Sequence, residues 1–362
     1  MRAAVLTEQG SPLILADVDL APPGPGEVLV RIAATGVCHS DLSMRDGGLQ
    51  WPLPAVIGHE AAGEVLDAGE GVRTVSAGDH VVISWIPMCR RCFFCTGGQP
   101  HLCSTYRRAN GRMDDGATRL TLEGREVTHG FNAATFAERT VVREASLVKI
   151  PKDVPLETAS LIGCGVLTGI GAALNTARIQ PGERVAVIGC GAVGLSVIQG
   201  CRLAGASVII AIDPVEAKRE AALSMGATHA VTPEEADAAA KDLTGGVRPD
   251  AVFEVVGIPA LQRQAFDLVR PGGRAVMVGA APVTEEVALP TVGFLMFEKR
   301  ALGCYYGSSD PQRDVPRILE LWRGGRLELE ALISARRPLE QVNEALDAMA
   351  DGTTIRTVLI LP

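Results

Sequence analysis

Four cysteines lie close together in a polar, turn-rich stretch: Cys89, Cys92, Cys95 and Cys103. Their spacing is C-x2-C-x2-C-x7-C, and four thiolates this close can form a closed tetrahedral shell around one zinc ion. A closed shell leaves no position for a substrate, so the pattern predicts a structural zinc site. An iron–sulfur cluster is the main alternative, because C-x2-C-x2-C also begins the bacterial ferredoxin pattern. The fourth cysteine is too distant for that pattern and no proline follows it. Four unligated thiols are the remaining alternative.

Three further residues have side chains of the types that bind a catalytic zinc: Cys38, His59 and Cys164. Two thiolates and one imidazole leave the fourth position of a tetrahedral ion open for water or substrate. The three residues are far apart in the sequence, so spacing alone indicates this grouping only weakly. A lone cysteine or histidine is more often a packing residue than a ligand.

A G-x-G-x-x-G turn follows a buried apolar run at residues 187–194. Gly189 and Gly191 would let the backbone approach a pyrophosphate, and Gly194 would let the following helix pack closely on the strand. A second apolar run ends in Asp213, about 20 residues past the glycines, where a dinucleotide fold places the carboxylate that binds the adenosine ribose. This carboxylate would accept hydrogen bonds from a free 2′-hydroxyl and repel a 2′-phosphate, so we expect NAD rather than NADP. The alternative is the same fold with an empty turn.

The elements that position these residues differ between the two parts of the chain. Up to about residue 150, short apolar runs such as 3–6, 27–32 and 79–84 are separated by Gly, Pro and Asp, which predicts the strands of a compact barrel or sandwich. From about residue 166, apolar runs alternate with helical stretches, which predicts a parallel sheet with helices on both faces. The predicted strands of this sheet are 184–188, 208–212, 251–256 and 274–278. One predicted helix begins near Ala192, and three others span Pro214 to Met225, Pro316 to Trp322 and Leu339 to Met349. A last strand is predicted at 357–360.

Length and charge exclude several classes of protein. The 362 residues suggest roughly two domains, and nearly half of them are apolar. The net charge is −8 without a basic run, which argues against a nucleic acid or an anionic membrane as partner. No apolar run approaches the length of a membrane span. Glu8 comes too early for a signal peptide, so we expect a cytoplasmic protein.

The sequence resembles the zinc-dependent medium-chain alcohol dehydrogenases over essentially its whole length. The resemblance rests on GHEAAG at 58–63, the four-cysteine stretch, GCG at 163–165, the glycine turn and IRT at 355–357. It implies an α/β Rossmann domain, a doubly wound parallel sheet that binds NAD, at 166–305. It also implies a β-rich GroES-like catalytic domain, with both zinc sites, at 1–165 and 306–362.

The resemblance makes Cys38, His59 and Cys164 the catalytic zinc ligands. Asp41 then corresponds to the carboxylate that holds the other ring nitrogen of the ligand histidine. Glu60 corresponds to an acidic neighbour beneath the metal that can transiently ligate it. Without the resemblance, Asp41 would be interpreted as a helix cap and Glu60 as part of a solvated face.

Three positions concern the alcohol. Ser40 takes the place of the hydroxyl that accepts the proton of the alcohol. The family passes this proton on to a histidine, but Ser43 stands at that position, so we expect release to water or by another route. Trp85 corresponds to an aromatic wall of the substrate pocket, and core packing is its alternative.

Five residues correspond to cofactor contacts of the family: His39, Thr168, Val193, Lys218 and Arg356. His39 and Arg356 match pyrophosphate contacts, with a surface charge as the alternative. Lys218 matches a contact to the adenosine ribose, with a solvated helix face as the alternative. Thr168 and Val193 match residues that press the nicotinamide towards the zinc, with core packing as the alternative.

The expected reaction is the reversible oxidation of a primary or secondary alcohol to an aldehyde or ketone, with hydride transfer to NAD and two zinc ions per chain. Residues 38–63 also resemble the actinobacterial mycothiol-dependent formaldehyde dehydrogenases, so a thiol-adduct formaldehyde dehydrogenase using mycothiol or glutathione is one alternative. A nicotinoprotein that keeps NAD bound is another. A non-catalytic zinc- and nucleotide-binding protein is disfavoured by the open ligand set.

The expected partners are a small alcohol or aldehyde and a second copy of the chain. Residues 104–136 resemble the long loop of the horse-liver-like branch of the family, which favours a homodimer over a tetramer. The strand-like residues 300–305 are the candidate edge for continuing the sheet across a two-fold axis.

Overall fold

A computed structural model describes residues 1–106 and 109–362, so residues 107 and 108, within the 104–136 stretch, lie outside the described residues. The described residues divide into two compact units. The first unit comprises Met1–Cys164, Asp310–Glu320 and Leu329–Pro362, and the second unit comprises Gly165–Ser309 and Leu321–Glu328.

The secondary structure is given in chain order. The strands are β1 (Arg2–Leu6), β2 (Ile14–Asp17), β3 (Asp19–Leu20), β4 (Glu27–Gly36), β5 (Ala55–Val56), β6 (Glu60–Ala68), β7 (His80–Ile83), β8 (Leu120–Leu122), β9 (Arg125–His129), β10 (Arg139–Arg143), β11 (Leu147–Ile150), β12 (Arg184–Ile188), β13 (Val208–Ile212), β14 (His229–Val231), β15 (Ala251–Glu254), β16 (Arg274–Met277), β17 (Arg300–Gly303), β18 (Ala335–Pro338) and β19 (Thr357–Ile360). The α-helices are α1 (His39–Arg45), α2 (Phe93–Thr96), α3 (Leu156–Ser160), α4 (Gly165–Gly171), α5 (Ala192–Leu203), α6 (Glu216–Ser224), α7 (Ala236–Asp242), α8 (Pro259–Leu268), α9 (Thr291–Leu295), α10 (Pro311–Arg323) and α11 (Val342–Ala350). A π-helix spans Ala172–Ala177, and 3-10 turns span Pro100–Leu102, Gly130–Asn132, Glu144–Ser146, Leu161–Gly163, Pro233–Glu235, Tyr306–Ser308, Glu330–Leu332 and Leu339–Gln341.

The first unit is built on short strands, as predicted for residues up to 150, and its strand pairs are antiparallel apart from β5–β9 and β18–β19. One sheet has the order β2-β1-β5-β9-β8-β3, and a second has the order β11-β7-β6-β4-β19-β18, with β10 also paired to β4. The apolar residues Val28, Val30 and Ile32 of β4 are fully buried, which explains its central place. Because β19 pairs with the end of β4, the residue before β19, Arg356, lies beside Val37 at the start of α1.

The second unit contains the predicted parallel sheet. Its strand order is β14-β13-β12-β15-β16-β17, and all pairs are parallel. Ile188 at the end of β12 is in register with Ile212 of β13 and Glu254 of β15. The carboxyl ends of three adjacent strands therefore meet at one edge, where a doubly wound sheet binds its ligand.

Helix α10 differs from its prediction. It begins at Pro311 rather than Pro316, and Pro316 lies inside it. Pro311 occupies the first helical position, where its missing N–H costs nothing. The Asp314 carboxylate accepts a hydrogen bond from the Asp310 N–H at 2.9 Å and fixes this start. The predicted helix Pro214–Met225 is confirmed as α6, which is two residues shorter at its start and one at its end. The predicted helix Leu339–Met349 is confirmed as a 3-10 turn over Leu339–Gln341 followed by α11.

Among the helices in the described ranges, no single one is long and apolar enough to cross a membrane. One bent pair of helical segments, Leu156–Gly163 and Gly165–Ala177, is long and apolar enough when the two segments are counted together. Most of their residues are buried inside the protein.

Candidate zinc and nucleotide sites

The four predicted cysteines of the structural site come together. The sulfur atoms of Cys89, Cys92, Cys95 and Cys103 all lie within 4.8 Å of one another. Cys89 Sγ lies 4.0 Å from Cys95 Sγ, and Cys92 Sγ lies 3.9 Å from Cys103 Sγ. Two sulfur ligands of a tetrahedral zinc, each at about 2.3 Å, are about 3.8 Å apart. The spacing therefore fits one zinc ion.

Hydrogen bonds to the cysteine sulfur atoms support the assignment of a zinc site. The Cys92 N–H donates to Cys89 Sγ at 3.3 Å, the Cys89 N–H donates to Cys103 Sγ at 3.4 Å, and the Thr105 hydroxyl donates to Cys89 Sγ at 3.1 Å. The Cys95 N–H, first among several groups, lowers the pKa of Cys92 to about 5. Burial and the neighbouring thiols raise the pKa of Cys95 to about 12. Thiolates this close repel one another, so the cluster needs a cation before all four can be charged.

Cys38, His59 and Cys164 form the second predicted group. One ligand atom from each lies within 4.8 Å of the others, and the side chains are buried. Cys38 follows β4, and His59 immediately precedes β6. Cys164 reaches them because Gly163 packs against the backbone of β7: a Cβ there would lie 2.7 Å from the Ile83 carbonyl oxygen. The hydrogen bond between the two thiols lowers the pKa of Cys38 and raises that of Cys164.

Asp41 is fully buried and performs both functions considered for it. Its Oδ2 accepts the Cys38 N–H at 3.0 Å, which caps the start of α1. Its Oδ1 lies 3.0 Å from His59 Nδ1 and accepts the Gly58 N–H at 3.2 Å. Burial lowers the pKa of His59, but the Asp41 carboxylate outweighs this and raises it to about 10. With Nδ1 held by Asp41, Nε2 is the ring nitrogen that faces the metal position.

The predicted hydroxyl lies next to this group. Ser40 Oγ is 3.8 Å from Cys38 Sγ, and the side chain is half-buried. His39 is exposed at the start of α1, and Ser43 is half-buried one turn further along the helix.

Glu60 and Arg356 form a buried pair beside the ligands. Glu60 is completely buried, so its interpretation as part of a solvated face is wrong, and Arg356 is 5% exposed, so it is not a surface charge. Arg356 Nη1 donates to the Val37 carbonyl oxygen at 2.7 Å and lies 3.4 Å from Glu60 Oε2. Neither Glu60 oxygen has a hydrogen-bond donor among the described residues. Burial raises the pKa of Glu60 to about 8, against the charge of Arg356.

Aromatic rings surround the imidazole of His59. The Phe131 ring centroid lies 4.3 Å from that of His59, and the half-buried Trp85 meets His59 edge-on at 5.9 Å. Trp51 lies 5.8 Å from Phe131. The structure thus places Trp85 beside the predicted ligand His59, whereas no sequence pattern pointed to Trp51 or Phe131.

The glycine turn of the second unit has the geometry of a phosphate-binding turn. A Cβ on Gly194 would lie 1.9 Å from the Gly189 carbonyl oxygen, so only glycine permits this contact between helix and turn. A Cβ on Gly191 would meet open space. Helix α5 begins at Ala192, and no described side chain caps it. Its first N–H groups are therefore available for an anion.

Asp213 lies at the end of β13 next to this turn and is 6% exposed. Its Oδ2 accepts the Cys190 N–H at 2.8 Å, and its Oδ1 accepts the Val215 N–H at 2.9 Å. Each oxygen keeps a lone pair for a further donor. Lys218 is half-buried on α6, and Thr168 and Val193 are half-buried on α4 and α5.

Two known protein families match separate parts of the chain. Residues 24–152 match the alcohol dehydrogenase GroES-like domain, and residues 192–323 match the zinc-binding dehydrogenase domain. The chain belongs to the zinc-binding alcohol dehydrogenase family. The protein is thus an oxidoreductase, and the predicted combination of a GroES-like domain with a Rossmann sheet is confirmed.

Three relatives of this dehydrogenase differ in what their names say they act on. It is 40% identical to S-(hydroxymethyl)glutathione dehydrogenase of Synechocystis sp., over 99% of both chains. It is 39% identical to the NDMA-dependent alcohol dehydrogenase of Amycolatopsis methanolica, over 99% of this chain and 98% of that one. The solved structure of benzyl alcohol dehydrogenase from Acinetobacter calcoaceticus is similar with a TM-score of 0.94 and 33% identity, covering 100% of this chain and 99% of that one.

Proposed function

We propose that this dehydrogenase oxidises a primary or secondary alcohol to an aldehyde or ketone with NAD as the hydride acceptor. The observation that supports this most is the Cys38–His59–Cys164 group. Unlike the four-cysteine site, it supplies three ligand atoms and leaves one position of a tetrahedral ion open. A zinc ion bound there would supply Lewis acidity towards the oxygen of the alcohol.

The residues around this group would orient ligand and substrate. Asp41 fixes the ring of His59, because its Oδ1 lies 3.0 Å from Nδ1. Ser40, beside Cys38, is placed to accept the proton of the alcohol. Ser43 replaces the histidine of the family relay, so the proton would pass from Ser40 to water. Glu60, buried without a hydrogen-bond donor among the described residues, is a carboxylate that the metal can attract.

The second unit would bind NAD. The pyrophosphate would take the uncapped N–H groups at the start of α5, above Gly191. The lone pairs left on Asp213 would accept the hydroxyls of the adenosine ribose, and its charge would repel a 2′-phosphate. The bound NAD supplies the hydride chemistry.

The contacts of the remaining five residues with NAD stay proposals. Lys218 would contact the adenosine ribose. Thr168 and Val193, on two packed helices, would contact the nicotinamide. His39 and Arg356 would contact the pyrophosphate.

We also propose a homodimer. Strand β17 is at the edge of the parallel sheet, and its residues are largely exposed. The nearby residues Leu295 and Met296 are 84% and 73% exposed, which is unusual for large apolar side chains. A second copy pairing along β17 would cover this surface. A molecular mass of one chain, measured by light scattering after gel filtration, would contradict the proposal.

Two alternatives stay within the same chemistry. The name of the relative from Synechocystis sp. supports a thiol-adduct formaldehyde dehydrogenase. A nicotinoprotein that keeps NAD bound between turnovers is the second alternative. Both would use the same zinc and nucleotide sites.

The test is zinc content per chain together with NADH formation from ethanol, hexanol and benzyl alcohol. Two zinc ions with turnover are expected. Formaldehyde oxidation that requires added glutathione or mycothiol would favour the thiol adduct. Nicotinamide absorbance that survives gel filtration would favour tightly bound NAD. No turnover under any of these conditions, with both zinc ions bound, would contradict the proposal.

A further inference from the structure

Arg90 links the four-cysteine site to the start of helix α10. Its Nη1 and Nη2 atoms donate to the two carboxylate oxygens of Asp310, at 2.6 and 2.7 Å. Two parallel hydrogen bonds between one guanidinium and one carboxylate form the strongest pairing available to these side chains. The Asp310 side chain is only 19% exposed, which limits the competition from water.

The cysteines on either side hold Arg90 in position. Arg90 lies between Cys89 and Cys92, and its φ of 61° is in the left-handed region that residues other than glycine rarely adopt. The Cys92 N–H donates to Cys89 Sγ at 3.3 Å across this short loop. A zinc ion bound by both sulfur atoms closes the loop, and without the ion the strained backbone loses that constraint. The direction of the Arg90 side chain therefore depends on zinc in the four-cysteine site.

Asp310 is also the N-cap of α10. Its Oδ1 accepts the Gln312 N–H at 3.2 Å. Its carbonyl oxygen accepts the N–H groups of Arg313 and Asp314 at 3.0 and 2.8 Å. The residue that pairs with Arg90 thus fixes the point at which the chain enters the helix.

A strained turn, Tyr306–Ser308, lies one residue before Ser309 and Asp310 are reached, and we name it the left-handed turn. Tyr306, Gly307 and Ser308 have φ values of 53°, 66° and 48°. Two of these three residues carry side chains that disfavour the left-handed conformation. Such a turn persists only where the surrounding structure enforces it.

The left-handed turn packs on helix α4. A Cβ on Gly307 would lie 2.4 Å from the Leu167 carbonyl oxygen and 2.8 Å from that of Thr168. The buried Ser309 hydroxyl donates to the Leu167 carbonyl oxygen at 3.3 Å. Helix α4 directly follows the ligand Cys164 and carries Thr168, a proposed contact of the nicotinamide. A change in the turn therefore reaches residues on which the nucleotide site depends.

We infer that Arg90 and Asp310 are positioning residues for the nucleotide. With zinc in the four-cysteine site, their ion pair anchors the left-handed turn, and the turn holds α4 in its binding position. The inference rests on the proposed function, because it takes α4 as part of the NAD site. The four-cysteine zinc thereby contributes to NAD affinity, although its closed ligand shell has no position for substrate or nucleotide.

The test is the affinity for NADH, measured by nucleotide fluorescence in a double-mutant cycle of Arg90→Gln and Asp310→Asn. Asparagine caps a helix about as well as aspartate, so Asp310→Asn removes the charge that pairs with Arg90 and keeps the cap. Each single variant should weaken NADH binding by about two- to fivefold, the value of one partly exposed ion pair. The double variant should bind NADH no more weakly than either single variant, because all three lose the same pair.

Arg91→Gln is the matched control. It makes the same chemical change at the next residue, an exposed side chain between the same two cysteines. Its NADH affinity should equal that of the wild type. Zinc content and thermal melting verify that each variant is folded and keeps both ions.

Hydrogen exchange gives a readout that does not depend on nucleotide binding. The amides of residues 306–314 should exchange faster in Arg90→Gln than in Arg91→Gln or the wild type. Cys95→Ser, which loses a ligand of the four-cysteine zinc, should accelerate the same amides. Adding Arg90→Gln to Cys95→Ser should accelerate them no further, since zinc acts on the turn through Arg90.

Wild-type NADH affinity and wild-type exchange in Arg90→Gln would overturn the inference, as would additive losses in the double variant. Alcohol turnover in these proteins would still support the proposed function. A wild-type enzyme with both zinc ions that binds no NADH would instead contradict the proposed function.

Discussion

The substitution Asp41→Asn tests how the catalytic ligand set is held. The fully buried Asp41 carboxylate satisfies three groups: the N–H of Cys38, the N–H of Gly58 and Nδ1 of His59. Asparagine has the same shape but one oxygen instead of two, so its NH2 group must face at least one N–H donor. The charge that pairs with His59 is lost as well. A hydrogen bond to a charged group contributes about 1.5–3 kcal/mol, which corresponds to a factor of roughly 10 to 160.

We therefore expect Asp41→Asn to weaken zinc binding at the Cys38–His59–Cys164 site by about 10- to 100-fold, the usual effect of losing a partner of a ligand histidine. Zinc per chain is measured by mass spectrometry after dialysis at graded free zinc, and the four-cysteine site should stay full. Asp46→Asn is the control, because Asp46 caps the other end of α1 and pairs with Arg45 at the surface. An Asp41→Asn protein that holds both zinc ions as tightly as the wild type would show that the Asp41 carboxylate does not stabilise the ligand set.

Three further substitutions test the other sites. Thr105→Val removes the hydroxyl that donates to Cys89, so zinc release to a colorimetric chelator should become about 2- to 10-fold faster. Thr96→Val should not change it, since that hydroxyl bonds to backbone oxygens, and equal rates in both variants would contradict the role of Thr105. Asp213→Ser should raise the KM for NAD at least about tenfold and the KM for NADP much less, because the adenosine ribose of NAD loses its hydrogen-bond acceptor. An unchanged ratio of the two KM values in steady-state kinetics would contradict this role of Asp213. Gly194→Ala places a Cβ 1.9 Å from a carbonyl oxygen, so it should lower the free energy of unfolding by about 1–3 kcal/mol and abolish NADH binding. Thermal melting measures the first effect and nucleotide fluorescence the second. A melting temperature equal to that of the wild type would count against the close contact.

The sites that depend on local sequence were predictable in detail. Cys89 to Cys103 are close in the chain, so their spacing alone restricts the geometry, and the sulfur atoms come together as expected. The glycine turn is equally local, because Gly194 answers a steric requirement within one strand-turn-helix unit.

The catalytic group depends on tertiary structure. Cys38, His59 and Cys164 belong to separate elements, and the close packing of Gly163 on β7 helps to place Cys164 beside the others. Residue types alone therefore indicated the group weakly, and the family resemblance made the prediction specific. The burial of Glu60 against Arg356 has the same origin, because β19 returns from the end of the chain to pair with β4.

Other features carried no sequence signal. Phe131 and Trp51 belong to no motif, and their contacts with each other and with His59 arise from distant turns. The sequence predicts a helix that begins at Pro316, but Pro311 occupies the first helical position. A proline further along the helix looks the same in the sequence.

The most direct test of the central claim is the zinc stoichiometry of the wild type and His59→Ala, measured with NADH formation from benzyl alcohol in the same samples. Two zinc ions per chain and turnover are predicted for the wild type. One zinc ion, undiminished NADH binding and no turnover are predicted for His59→Ala. Two zinc ions in the variant, or alcohol oxidation with one, would contradict the role of His59 as a ligand of the catalytic zinc.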